Sequence, residues 1–149
     1  MVCCGSKVKI QSHNLRHLSR LTGEKYREAV EEHIGTKLKL QTSEISSLVK
    51  NFFVFADPDT LELDQSQFRQ SLGFFGDSYL GERLFYIVKS DNDDVISLKD
   101  YLVYYDNLYH GSQEQKWLAT YKMIDIEGQG EVKLPEFIHF WKKFVKMYA

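Results

Sequence analysis

One pattern occurs three times along the chain, and it narrows the possible folds more than any other feature. A segment rich in large apolar residues runs into an acidic turn, and a second apolar segment follows. The turns begin at Ala56, Lys89 and Asp125, which are 33 and 36 residues apart. Repeats of this length cannot bury an apolar face alone and must stack against a neighbour. Apolar residues make up 43% of the chain, enough for a packed core, and no long stretch alternates with the period of two that a strand requires. With only two Pro and nine Gly, the composition argues against both disorder and a fibrous repeat. The expected fold is all-α, built from helix–loop–helix repeats joined by short loop-pairing strands.

The expected helices follow the breakers. Residues 14–33 read as helical with a break at Thr22-Gly23, and Ser43 is placed to cap a helix through Phe55. Helices are expected through 68–75, 82–88 and 98–110. Ser112 with Gln115 three residues on forms a capping box for a helix ending at Ile124, and a last helix closes the chain from Phe137. Three regions result: a basic arm and helix over 1–43, a pair of units over 44–111, and a third unit over 112–149.

The turns fit a twelve-residue cation loop with oxygen donors at positions one, three, five, seven, nine and twelve. Position six takes glycine for the bend, position seven donates its carbonyl, and position nine often acts through water. Position eight is apolar and pairs with the neighbouring loop. Loop 125–136, DIEGQGEVKLPE, offers Asp125, Glu127, Gln129, the Glu131 carbonyl, Lys133 through water, and Glu136. Gly130 falls on the bend and Val132 on the pairing position. Pro135 lies in the first helical turn, where its missing N–H does no harm. Trp117, Tyr121 and Ile124 precede the loop, and Phe137, Phe140, Trp141 and Phe144 follow it, at spacings that face one side of a helix. Because Asp125, Glu127 and Glu136 are the only side-chain carboxylates in the set, micromolar affinity or weaker is expected.

The other two loops keep the frame and lose the ligands. Loop 89–100 retains Asp91, Asp93, the Val95 carbonyl, Ser97 and Asp100, but Lys89 puts an ammonium at the first position and Asp94 replaces the glycine. Loop 56–67 has Ala56, Pro58, Thr60 and Gln67 where donors belong, yet Leu63 holds the pairing position as Ile96 does in the second loop. A further frame at 33–44 begins only 23 residues before the next and leaves too short a helix to serve two units.

These motifs resemble the EF-hand family over Glu44 to Tyr148. The stretches ERLFYIVKSDNDDVISLKDYL and GSQEQKWLATYKMIDIEGQGEV are similar in particular to the neuronal calcium sensor and calcineurin B-like branch. The chain departs from that branch in showing three units rather than four, and in having Val2 where many members carry a glycine for myristoylation. The resemblance implies calcium as the bound ion. It also implies a regulatory or adaptor role in which an aromatic groove takes a helical segment of a protein partner. The alternative is a constitutive structural subunit of a larger assembly, in which calcium switches little.

Charge and motif content exclude other classes. Residues 1–27 carry Lys7, Lys9, Arg16, Arg20, Lys25 and Arg27 against Glu24 alone, on a chain of net charge −2. A basic arm on an acidic body does not describe a nucleic-acid binder. Phosphate-loop, dinucleotide and nucleophile-elbow motifs are absent, so no enzyme is expected. The two cysteines, Cys3 and Cys4, are adjacent and make no disulfide framework, which suits a cytoplasmic location. Beside Lys7 and Lys9 they are candidates for acylation and membrane association. Together with His13 and His17 they fit tetrahedral zinc poorly.

Overall fold

The computed structural model describes residues 17–73, 79–89 and 94–148, without the side chains of 147 and 148. The helices are α1 (Gly23–Ile34), α2 (Thr42–Phe55), α3 (Gln65–Ser71), α4 (Tyr79–Val88), α5 (Leu98–His110), α6 (Gln113–Ile124) and α7 (Leu134–Tyr148). Their starts follow side-chain chemistry. Gln41 caps α2 and Glu44 reaches back to the Gln41 N–H at 2.7 Å, so Ser43 lies inside the first turn rather than capping it. The Asp64–Gln67 pair starts α3 three residues earlier than its apolar content suggests. α4 begins three residues before the expected start at Glu82, with Gly81 buried within it.

α2, α3, α4 and α5 form the first two units, joined at their loops. Leu63 and Ile96 exchange backbone hydrogen bonds of 2.9 and 2.8 Å, an isolated antiparallel bridge. Both residues are fully buried, and they meet at the eighth position of their loops. Among the described residues this bridge stands where short strands were expected. Beneath it Phe68 and Phe85 lie 6.2 Å apart, and Phe52 meets Tyr101 edge-on at 5.4 Å. Burial raises the pKa of Tyr101, although the Asn51 amide donates to its hydroxyl at 2.7 Å, and burial also pushes Tyr104 to about 12.

α1 packs on α2, and the segment after it is held from both sides. Arg27 donates to the carbonyls of Leu38 and Leu40. Glu31 accepts from the Leu38 N–H at 3.0 Å, and Asp106 of α5 accepts from the N–H groups of Lys39 and Leu40 at 2.7 and 2.8 Å. Leu38 and Leu40 thereby join the same core as Val30, Ile34 and Ile45. The clamp satisfies backbone groups that would otherwise be buried without partners. Asp106→Ala is expected to lower the unfolding free energy in urea by about 2–3 kcal/mol, and Asp106→Asn, whose carbonyl still accepts, by less.

Burial opposes ionisation of Glu31, but the Leu38 N–H, Lys37 and Arg27 outweigh it, so its pKa lies below the usual 4.5. Burial lowers His33 below its usual 6.5. In both cases the folded chain takes up the proton less readily than the unfolded chain, so their contribution is full at neutral pH and falls away as pH drops. Thermal midpoints should decline first as pH falls below 6.5, through His33, and again below 4.5, through Glu31. His33→Gln should remove the first decline, and Glu31→Gln should shrink the second.

Candidate metal centre

The three loops carry different groups at their heads. In the first, Ala56 offers no acceptor, and Asp57 takes the role one residue later. Asp57 Oδ1 accepts from Asp59 N–H at 2.8 Å and Thr60 N–H at 3.0 Å, and the Thr60 and Asp59 amides lower its pKa. The sixth residue, Leu61, takes a left-handed φ of 57°, a cost a glycine would avoid. The sequence reading missed both features, though an Asp two and three residues before exposed amides is a recognisable turn signal. In the second loop, the Lys89 ammonium reaches Asp94 Oδ1 at 3.1 Å and sits 5.5 Å from the Tyr86 ring centre. A fixed cation thus stands at the first ligand position. Asp91 and Asp93 lie outside the described residues, and Ser97 and Asp100 are spent on each other's backbone at the start of α5.

The third loop keeps oxygen at its first position. Asp125 is only 8% exposed, and its two carboxylate oxygens accept from Gln129 N–H at 3.1 Å and Gly130 N–H at 2.9 Å. Gly130 holds φ at 80°, where any side chain would be strained. Gln129 donates its amide to Glu127 at 2.8 Å, and the Lys133 N–H donates to Glu136 at 2.8 Å. Glu131 is exposed. Each carboxylate oxygen has more than one lone pair, so these contacts leave acceptor capacity. In chemical type the set is all oxygen, which suits a hard cation such as calcium. In position it is dispersed: among the described residues no three His, Cys, Asp or Glu side chains stand close enough to share a metal ion. Lys133 brings no side-chain oxygen, and its backbone N–H is engaged by Glu136.

α4 fixes the approach to this loop. Arg83 donates to the carbonyls of Met123 and Lys122 at 3.1 and 3.2 Å, closing the end of α6 just before Asp125. Much of the rest of the third unit faces solvent. α6 buries no residue, and Trp117 is 67% exposed. On α7, Phe140 packs against Tyr79 at 6.2 Å, whereas Trp141 is 54% exposed and stacks between Phe137 and Phe144. Of the flanking residues assigned to packing by their spacing, Trp117, Tyr121, Phe137 and Trp141 thus form a surface, and among the described residues no second loop bridges this one. Cys3, Cys4 and His13 lie outside the described residues. No described helix is long and apolar enough to cross a membrane.

Helix, twelve-residue loop, helix, with loops paired at their eighth positions, defines an all-α fold of the EF-hand kind. No family model matches the chain. Calaxin of Xenopus laevis, an EF-hand protein, is 29% identical to it over 108 residues, which is 67% of this chain and 52% of that protein. The chain therefore spans about half the length of the relative it matches. The likeness supports an EF-hand calcium-sensor family and does not choose a branch within it.

The start of α7 has only half of a capping box. Positions nine and twelve form reciprocal boxes in the first two loops, Asp64 with Gln67 and Ser97 with Asp100, whereas Lys133 with Glu136 completes only half. Lys133→Ser supplies the missing acceptor. It is expected to stabilise the chain by about 1 kcal/mol in chemical denaturation.

Proposed function

We propose that this chain is a calcium-binding regulatory or adaptor protein, with calcium held at 125–136 and a helical segment of a protein partner taken by the exposed aromatic face of α6 and α7. The observation that carries the reading is Asp125, turned inward against the Gly130 bend at the head of an all-oxygen loop. Asp125, Glu127, Gln129, the Glu131 carbonyl and Glu136 would hold the ion. Glu136 is the group whose movement matters, because it lies in the first turn of α7 and now binds the Lys133 amide. Drawing its carboxylate toward a cation would pull α7 with it. That shift would re-aim the stacked Phe137, Trp141 and Phe144 rings, which links ion binding to partner affinity in both directions. The likeness to calaxin supports the calcium-binding regulatory part of this reading.

The side-chain bonds at the heads of the first two loops favour a second reading. A chain with Asp57 bound to its own amides in the first loop and a Lys89–Asp94 pair at the head of the second can serve as a constitutive structural subunit with little calcium response.

Tryptophan fluorescence separates the two. The chain has two tryptophans, Trp117 and Trp141, and they flank the third loop on either side. Under the first reading, calcium shifts their emission and raises the thermal midpoint relative to chelator, and Glu136→Gln abolishes both changes. Under the second, calcium and chelator give the same spectrum and midpoint.

A further inference from the structure

We propose that Arg83 is a positioning residue for the third loop: reaching across from the second unit, it holds Asp125 in place for calcium and so sets the affinity of the site. The calcium part of this proposal rests on the function proposed above, and the positioning rests on geometry alone. The last turn of a helix leaves carbonyls without intrahelical partners. α6 ends with the Asp125 N–H bonded to the Tyr121 carbonyl at 3.0 Å. The next two carbonyls, of Lys122 and Met123, accept from two nitrogens of the Arg83 guanidinium at 3.2 and 3.1 Å. A cation at this end also suits the helix dipole. Asp125 follows two residues after Met123, and its carboxylate accepts from the Gln129 and Gly130 amides. The end of the helix and the bend of the loop thus meet at Asp125, one tied by Arg83 and the other by the carboxylate itself.

Arg83 is itself held. Its guanidinium carbon lies 5.9 Å from the centre of the Tyr86 ring, and the Lys89 ammonium lies 5.5 Å from the same ring and 3.1 Å from Asp94. Contiguous contacts therefore join the head of the second loop to the head of the third. Arg83, Tyr86, Lys89, Tyr121, Lys122 and Asp125 line one cleft between the two units. Arg83 acts on a bound cation in two opposed ways. The fork fixes the backbone that carries Asp125, so less ordering remains when the ion binds. The guanidinium charge, in contrast, repels a divalent ion. The Arg83–Lys122 bond is exposed to solvent, which screens that repulsion, whereas the fork acts on the helix end that leads directly into the ligand. Positioning therefore outweighs repulsion. Lysine cannot replace Arg83 in this role, because an ammonium keeps the charge and loses the planar fork that meets two carbonyls.

Calorimetric titration of the full chain with calcium chloride compares the parent with Arg83→Lys and Arg83→Gln. The expected result is an affinity about tenfold weaker in both, the worth of one hydrogen bond to a charged group. Tighter binding in Arg83→Gln with no change in Arg83→Lys makes repulsion the governing effect and overturns the proposal. Unchanged affinity in both variants overturns it as well. Amide hydrogen exchange in chelator supplies an arm that needs no calcium. The Gln129 and Gly130 amides should exchange faster in Arg83→Lys than in the parent, while the Leu63 and Ile96 amides keep their protection and show the fold intact. Unchanged exchange at 129 and 130 overturns the positioning role. Faster exchange at all four amides overturns it too, since Arg83 then serves general stability. A parent that gives no heat with calcium, together with faster exchange at 129 and 130 alone in Arg83→Lys, refutes the function proposed above and the affinity claim with it, and upholds the positioning of Asp125 by Arg83.

Discussion

Two backbone hydrogen bonds between Leu63 and Ile96 hold the structure in its arrangement. They fix the first two loops side by side, and with them the four helices that enter and leave those loops. Both side chains of the bridge are fully buried, so the hydrogen bonds and the apolar core reinforce one another. The helix preceding these units and the segment after it add to the same core through Val30, Leu38 and Leu40, pinned by Arg27, Glu31 and Asp106. A polar clamp on buried backbone is costly to break, because each lost partner leaves an amide without a hydrogen bond.

Beside that bridge, the first two loops carry internal side-chain bonds at their heads. A loop of this kind curls its backbone amides inward, and something must accept them. Asp57 does so in the first loop, and at the head of the second the Lys89 ammonium pairs with Asp94. In the third loop Asp125 accepts two amides, while the remaining acids stand apart from one another. The contrast explains why the third unit is the candidate for exchange with its surroundings. Its oxygens are not all committed, its bend is relaxed by Gly130, and Trp117, Phe137 and Trp141 face water.

The sequence carried the frame more fully than the fittings. The twelve-residue spacing set Leu63 and Ile96 at equivalent positions, and they are the residues that pair, because position eight must be apolar for the loops to meet. Ser112 with Gln115 marks the start of α6, since a capping box is local chemistry. Local chemistry was also present, but overlooked, at Gln41 with Glu44 and at Asp64 with Gln67. The clamp on residues 38–40 was beyond reach, because Asp106 lies 66 residues from Leu40 and no pattern joins them. The exposure of Trp117 and Trp141 was hidden for a related reason: helical spacing tells which residues share a face, not whether anything covers that face. The ligand set was spelled out by position alone, and whether its carboxylates converge depends on rotamers that spacing does not fix.

The central claim is that one loop of three retains the capacity for a cation and two have become self-sufficient. Amide NMR during a calcium titration tests it residue by residue. The account predicts that the Gly130 amide, bound to Asp125, moves with saturation at one calcium per chain, while the Leu63 and Ile96 amides stay in place. A Gly130 signal unmoved by calcium, or a shift centred on Leu63 and Ile96 instead, would contradict it.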